Sequence, residues 1–302
     1  METWKRLTTT TLVSLLLASA ALATENGGGA YPNGAEGLMT GALPPPGDYF
    51  VNYALYYTAD TFKNDAGGTL MLPDGSRAPF DLEIAGTVLR YIHVTDKTLW
   101  GGSWAQHIFV PLLYVDVKTP AGSDSKFGLG DLIVDPIILG WHKPPFHWAA
   151  GIDVYVPVGA YDEDEIANVG RNYWTIEPVL ALTYLDENGV EASAKFMYDF
   201  NFENDDTDYE SGEEFHFDYV VAKHLGAWTV GVGGFYYEQV EDDEGTIGMD
   251  PSGGNKGKQF AWGPQVGYQH KGLTFSLKYQ DETETENKPE GERLWFTIIG
   301  AL

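Results

Sequence analysis

The segments Val190–Asn201 (VEASAKFMYDFN) and 273–280 (LTFSLKYQ) alternate between apolar and polar residues, with Met197 in the otherwise polar set. Successive residues of a β-strand point to opposite faces, so each segment has one apolar face and one polar face. The apolar faces are rich in aromatic residues, and strands in this part of the chain reach about ten residues, close to what a tilted strand needs to cross a bilayer. The pattern therefore predicts the wall of a transmembrane β-barrel.

The same alternation extends along the chain from residue 48. It predicts twelve strands, at about 49–61, 80–95, 99–119, 128–142, 148–160, 171–186, 190–203, 213–225, 228–243, 258–271, 273–285 and 292–302.

The connections between these strands alternate in length. Tight turns such as Glu187-Asn188-Gly189 follow the even strands, and longer polar stretches such as 62–79, 120–127, 244–257 and 286–291 follow the odd ones. A soluble β-sandwich gives no reason for that alternation, whereas bacterial outer-membrane barrels have short periplasmic turns and long extracellular loops. The predicted fold class is all-β: a single antiparallel transmembrane β-barrel of about twelve strands.

The N-terminus resembles a secretory signal peptide. Lys5 and Arg6 precede an apolar run at 12–22, and residues 21–23 (ALA) form a small-x-small cleavage site. The run is too short for a membrane helix. We expect export, cleavage after Ala23 and residence in the outer membrane of a Gram-negative bacterium.

Composition limits the partners. The formal net charge of −26 argues against nucleic acid. The absence of cysteine excludes a disulfide framework and a lipoprotein anchor. The expected partners are outer-membrane lipid, a small hydrophobic or aromatic solute and the barrel-assembly machinery.

Residues 24–48 precede the predicted barrel domain at 49–302. Their stretch at 31–47 (YPNGAEGLMTGALPPPG) is rich in Gly and Pro, which suits neither a helix nor a β-ladder. Two interpretations stay open. The segment is either a disordered leader or a segment folded into the periplasmic mouth of the barrel.

If the apolar face of each strand meets lipid, the polar face lines the lumen. Residues 106–116 are apolar on both faces, so the lumen is expected to be partly apolar. The charged residues either pair to brace the wall or form a polar constriction that orients a solute. The predicted lumen-lining residues are Asp131, Ile133, Asp135, Ile137, Asp153, Tyr155, Glu177, Lys195, Asp199, Asp218, Lys278 and Arg293.

Motifs for catalysis and for metal or cofactor binding are absent from the sequence. It has no H-E-x-x-H pair, no G-x-S-x-G elbow and no phosphate loop. Residues 206–212 suggest a calcium loop, but Gly212 is one place late and Phe217 stands where the closing Glu belongs. We therefore predict no enzyme, no cofactor and no metal site. A membrane hydrolase would need a Ser–His pair, and loose divalent bridging by the acidic loops stays open.

Two segments resemble a known family. Residues 31–53 (YPNGAEGLMTGALPPPGDYFVNY) and 128–142 (GLGDLIVDPIILGWH) resemble the bacterial family Putative MetA-pathway of phenol degradation. The resemblance implies an outer-membrane β-barrel encoded alongside pathways for aromatic or hydrocarbon degradation. The implied role is passage of hydrophobic compounds across the outer membrane. Barrels of this kind usually end on an aromatic residue, whereas this sequence ends at Leu302.

The expected function is therefore an outer-membrane channel for passive uptake of small hydrophobic or aromatic compounds. One alternative is a channel for small polar solutes, such as nucleosides or organic acids. A second is a closed structural barrel whose acidic loops interact with partners. An interior without a water path would favour the closed barrel.

Overall fold

A computed structural model describes residues 24–245 and 256–302, so the predicted signal peptide at 1–23 lies outside the described residues. The only helix in the described part is a three-residue 3₁₀ turn, Glu25–Gly27, and no described helix has the length and apolarity to cross a membrane. The strands are β1 (Gly47–Phe62), β2 (Asp81–Leu99), β3 (Gly102–Thr119), β4 (Gly122–Leu129), β5 (Leu132–Lys143), β6 (Phe146–Val156), β7 (Thr175–Leu185), β8 (Val190–Asn201), β9 (Tyr209–Glu210), β10 (Glu214–Leu225), β11 (Trp228–Gln239), β12 (Glu244–Gly245), β13 (Lys258–His270), β14 (Leu273–Glu286) and β15 (Pro289–Ala301).

Thirteen of these strands form one antiparallel sheet in the order β2-β1-β15-β14-β13-β11-β10-β8-β7-β6-β5-β3-β4. Pairing of β2 with β3 closes the sheet into a barrel, which leaves no open edge around most of the circumference. Because β4 and β5 pair with successive parts of β3, they occupy one position in the wall. The predicted twelve-stranded antiparallel barrel is therefore confirmed. The small β9–β12 ladder lies outside the barrel sheet.

The connections define two ends of the barrel. The turns at 144–145, 186–189, 226–227 and 271–272 lie at one end, with the start of β1, and we call it the short-turn end. The opposite end, with the connections 63–80, 157–174 and 202–213 and with residues 240–245 and 256–257, is the loop end.

Two predicted loops at the loop end are wrong. Residues 122–129 form β4, which pairs with β3, and β14 and β15 are separated only by Asn287 and Lys288. β4 has a polar, loop-like composition because its alternate residues are exposed. Backbone pairing with β3, rather than an apolar face, makes it a strand.

The wall is apolar outside and polar inside. In β8, Glu191, Lys195 and Asp199 are buried, whereas Val190 and Phe200 are 39% and 42% exposed. This distribution is the reverse of a soluble protein, where charged side chains are rarely buried. It is the distribution of a barrel whose outer band contacts lipid.

Aromatic side chains gather at the ends of the strands. At the short-turn end, the rings of Trp228 and Tyr268 are 4.5 Å apart, and those of Trp141 and Trp148 are stacked at 6.1 Å. Trp174, at the loop end, is 49% exposed. Amphipathic rings at both edges of the apolar band are typical of membrane-interface belts.

Leu277 tests the orientation of the wall, because its side chain is 44% exposed on the outer face. We expect Leu277→Arg to reduce the free energy of unfolding of the barrel in bilayers, by up to about 2–4 kcal/mol, the cost of a cation on the lipid-facing side of a strand. Urea titration of refolding into vesicles measures this cost. Phe202→Arg is the matched control, since Phe202 is 48% exposed but lies in the connection after β8. Equal costs for the two variants would contradict a lipid-facing outer band.

Candidate functional site

The interior of the barrel is occupied by its own N-terminal segment. We call residues 24–46 the plug segment. It begins among the connections of the loop end, where Asn204 Nδ2 donates to both carboxylate oxygens of Glu25 at 3.1 and 2.9 Å. The Tyr161 hydroxyl also donates to Glu25, at 3.3 Å. Burial and the Glu25 carboxylate raise the pKa of Tyr161 to about 12, so this phenol stays a neutral donor.

In the middle of the barrel, Asp218 of β10 is the main anchor of the plug segment. Its carboxylate accepts hydrogen bonds from the Tyr31 hydroxyl at 2.8 Å, from the Gly34 N–H at 2.7 Å and from the Glu36 N–H at 2.9 Å. Gly34 has a φ of 84°, a conformation that glycine adopts without strain. A bound carboxylate of this kind forms strong, charge-assisted hydrogen bonds.

Three strands along the wall, a lysine holds the same turn through its carbonyl groups. Lys278 Nζ of β14 donates to the Ala35 oxygen at 3.0 Å, to the Glu36 oxygen at 2.8 Å and to the Gly34 oxygen. Asp218 and Lys278 therefore hold one short turn of the plug segment, the first through its N–H groups and the second through its carbonyl groups.

The plug segment continues to the short-turn end. The Met39 N–H donates to Glu191 Oε1 at 2.6 Å, and the Gly41 N–H donates to the Thr183 hydroxyl at 3.0 Å. Leu43 then packs against Gly140 of β5. The segment thus extends from the loop end to the short-turn end, beyond the mouth position considered from the sequence.

A second set of contacts joins wall residues beside the plug segment. Arg90 donates to Glu36 Oε1 at 2.9 Å and to the Tyr53 hydroxyl at 3.1 Å. His107 Nε2 lies 2.9 Å from Asp153 Oδ1, and Lys195 Nζ lies 3.5 Å from Asp153 Oδ2. Pairing of this kind satisfies buried charges that would otherwise be costly.

Nine of the predicted lumen-lining residues have buried side chains inside the barrel. They are Ile133, Asp135, Asp153, Tyr155, Glu177, Lys195, Asp199, Asp218 and Lys278. Arg293 is 11% exposed, pairs with Glu282 and donates to the Asn33 oxygen of the plug segment.

Asp131 lies apart from this group, between β4 and β5. Its carboxylate accepts the N–H groups of Gly159 at 2.9 Å and Arg171 at 2.6 Å. It therefore fixes the backbone of the connection between β6 and β7, at the loop end.

The prediction that Ile137 lines the lumen is wrong. Its side chain is 46% exposed, and Ile138 takes the buried position at 6%. Between Asp135 and Ile138, β5 has one more residue than β3 has between His107 and Ala105. This β-bulge contains Pro136, which cannot donate to the ladder, and it reverses the alternation downstream.

Several interior residues were not among the predicted lumen-lining residues. Tyr31 and Glu36 belong to the plug segment, whose path no local pattern indicates. Arg90 and His107 lie on the inner faces of β2 and β3, and Arg90 is in phase with the buried Val88 and Ile92. Counting in steps of two residues from Val88 or Ile92 would therefore have placed Arg90 on the inner face.

The plug segment leaves little free space. The cavity beside it has a volume of about 50 Å³ and is lined by residues that include Glu36, Arg90, His107, Asp153 and Lys195. A typical small-molecule pocket has roughly 300–1,000 Å³. The described conformation therefore has no room for a solute in this cavity.

A serine hydrolase would need a hydrogen-bonded Ser–His pair. Within residues 24–245 and 256–302, no serine hydroxyl is hydrogen-bonded to a histidine ring. Ser193 donates instead to Glu191 at 2.6 Å, and Glu191 also contacts His224 at 2.6 Å.

Comparison with known proteins settles the family. Residues 59–298 match the sequence model of the family Putative MetA-pathway of phenol degradation. The chain belongs to this family. The resemblance seen in the sequence is thus confirmed, and the match includes the motif at 128–142 but begins after the motif at 31–53. No curated protein matches the chain.

Solved structures resemble this member of the phenol-degradation family to different degrees. An outer membrane channel from Pseudomonas putida F1 superposes with a TM-score of 0.75 at 16% identity, over 88% of this chain and 98% of that one. The autotransporter NalP translocator domain from Neisseria meningitidis has a TM-score of 0.48 at 6% identity, over 86% and 90%. The KdgM porin has a TM-score of 0.41 at 8% identity, over 83% and 99%. The first of these similarities identifies the outer-membrane barrel fold.

Proposed function

We propose that this protein is an outer-membrane channel for passive entry of small, partly apolar compounds, including aromatic ones, and that the plug segment is its gate. The observation that carries the proposal is a peptide segment threaded through a twelve-stranded barrel and held mainly by polar contacts. The fold and the family support the channel. We further infer residence in the outer membrane of a Gram-negative bacterium, after signal cleavage and insertion by the barrel-assembly machinery.

The two sides of the interior suggest the class of solute. The side formed by β1 to β7 carries a cluster of buried apolar residues, among them Phe109 and Ile133. Charged groups lie beside them, such as the Arg90 guanidinium, 4.6 Å from the centre of the Phe109 ring. The other side carries charged residues of β8, β10 and β14, among them Asp218 and Lys278. A phenol or a similar compound has an apolar body and one polar group, so it can contact both sides weakly. Weak, repeated contacts permit flux, whereas strong binding prevents it.

Movement of the plug segment can be blocked by a disulfide at the short-turn end. A Cβ on Gly140 would lie 3.0 Å from Leu43 Cβ, and a small shift gives the spacing of about 3.5–4.5 Å that a disulfide requires. The protein has no cysteine of its own. We expect the double variant Leu43→Cys/Gly140→Cys to lose phenol flux into liposomes when oxidised and to recover it on reduction.

The controls are the two single variants and protein-free liposomes. Both singles should show the same flux with and without reductant. Equal flux for the oxidised and reduced double variant would contradict a gate formed by the plug segment.

Two other functions have specific support. The buried charges favour a channel for polar solutes, and the filled interior favours a closed structural barrel with acidic interaction loops. Liposome swelling with phenol, a nucleoside and a small organic acid separates the three. Faster entry of the nucleoside or the acid than of phenol supports the polar channel. No entry of any solute through the reduced double variant supports the closed barrel.

A further inference from the structure

Two clusters inside the barrel have the same composition, one histidine and two acidic residues. One comprises His107, Asp135 and Asp153, and the other comprises Glu177, Asp199 and His216. In each cluster, one potential ligand atom from every residue lies within 4.8 Å of the others. Both clusters are buried, so their charges need compensation inside the protein.

The first cluster is compensated by its neighbours. Arg90 Nε donates to His107 Nδ1 at 3.2 Å, and Lys195 pairs with Asp153 at 3.5 Å. The backbone N–H of Ile137 donates to Asp135 at 2.9 Å. Every residue of this cluster therefore has a partner that explains its position.

The second cluster lacks hydrogen-bond partners of this kind. Glu177, Asp199 and His216 are each 0% exposed. Five of their polar atoms have no hydrogen-bond partner, namely Glu177 Oε1, Asp199 Oδ1, Asp199 Oδ2, His216 Nδ1 and His216 Nε2. Unpartnered buried groups are rare in folded proteins, and these belong to three residues with ligand atoms within 4.8 Å of one another, which indicates a missing partner.

The nearest cation does not supply that partner. Lys195 Nζ lies 3.8 Å from Glu177 Oε1, beyond hydrogen-bond distance, and it also forms an ion pair with Asp153. The Tyr155 hydroxyl donates to Glu177 Oε2 at 2.9 Å but carries no charge. Glu177 and Asp199 thus share one distant positive charge.

The two distances from the histidine nitrogen to the carboxylates fit a metal ion. His216 Nε2 lies 3.3 Å from Asp199 Oδ2 and 3.6 Å from Glu177 Oε2. Ligand atoms around a tetrahedral ion with bonds of about 2.0–2.2 Å are roughly 3.3–3.6 Å apart. An ion at the centre would satisfy one nitrogen and two oxygens at once and would neutralise both carboxylates.

We propose that Glu177, Asp199 and His216 bind a divalent transition-metal ion inside the barrel. Imidazole nitrogen selects zinc, iron, nickel or copper over magnesium and calcium, and three protein ligands leave a position for water. The Tyr31 ring of the plug segment lies 5.1 Å from the His216 ring. The ion therefore fixes the face of the wall on which the plug segment rests.

The test measures zinc in the purified, folded protein. The barrel in detergent is treated with a chelator, dialysed, loaded with zinc and analysed for bound metal. Because exposed His142 and His147 have ring nitrogens 2.8 Å apart and can bind zinc at the surface, all variants carry His142→Gln and His147→Gln. We expect about one zinc per chain and a higher Tm with zinc. Magnesium and calcium should raise the Tm less.

Glu177→Gln and His216→Ala should each lower the zinc affinity at least about tenfold. Glu177→Gln keeps the shape of the side chain, so it remains informative if His216→Ala fails to fold. Asp135→Asn, in the compensated cluster, should leave zinc binding unchanged.

Three results would overturn the proposal. They are no zinc uptake by the folded barrel, unchanged uptake by Glu177→Gln, and a preference for calcium or magnesium. If the folded barrel takes up no zinc, a proton shared by the two carboxylates would explain the cluster instead.

Discussion

A variant without residues 27–45 is expected to form open channels, with a conductance at least about tenfold above that of the intact protein. The physical reason is that the plug segment fills the lumen and leaves a cavity of only about 50 Å³. Its removal would expose the charged inner face of the barrel, and water would then enter the lumen and hydrate these charges. Single-channel recording in planar bilayers measures the effect, with the signal peptide and its cleavage site retained in the expressed gene.

Folding of this variant must be checked separately. Strand β1 pairs with β2 and β15 through its own backbone from Gly47 onward, so the barrel wall does not depend on the deleted residues. The heat-dependent gel shift of a folded barrel should therefore persist. An unchanged conductance in a folded deletion variant would mean that inward side chains, rather than the plug segment, close the lumen.

The second large effect is expected from Asp218→Ala. The carboxylate accepts three hydrogen bonds from the plug segment, and hydrogen bonds to charged groups each contribute about 1.5–3 kcal/mol. Their loss should release the middle of the segment while the barrel stays closed around it. We expect faster proteolysis within residues 31–41 of the folded protein and a higher open probability in single-channel records.

Glu282→Ala is the matched control. Glu282 is also a buried wall carboxylate, at 3% exposure, and accepts hydrogen bonds from the Tyr57 hydroxyl, the Gly291 N–H and Arg293. None of these three donors belongs to the plug segment, and only Arg293 also contacts it, through the Asn33 oxygen. If both variants release the segment equally, general loss of wall stability, rather than anchoring by Asp218, explains the effect.

The inner face shows how far local reasoning extends. Alternation along β8 placed Lys195 and Asp199 on the face that the structure buries, because the direction of successive side chains is a property of a single extended strand. The same reasoning failed at Ile137. The bulge at Pro136 adds one residue to β5 relative to β3, and a one-residue change of register moves every later side chain to the other face.

The sequence by itself determined the two-faced strands, the antiparallel barrel of twelve strands and the family. The strands and the barrel follow from patterns that repeat every two residues and from short turns, both of which act between near neighbours, and the family follows from the motifs at 31–53 and 128–142. Only the tertiary structure decided that residues 24–46 fill the lumen and that Glu177, Asp199 and His216 meet. The hydrogen bond between Gly34 and Asp218 joins residues 184 positions apart, so it exists only because closure of the barrel brings both to one point.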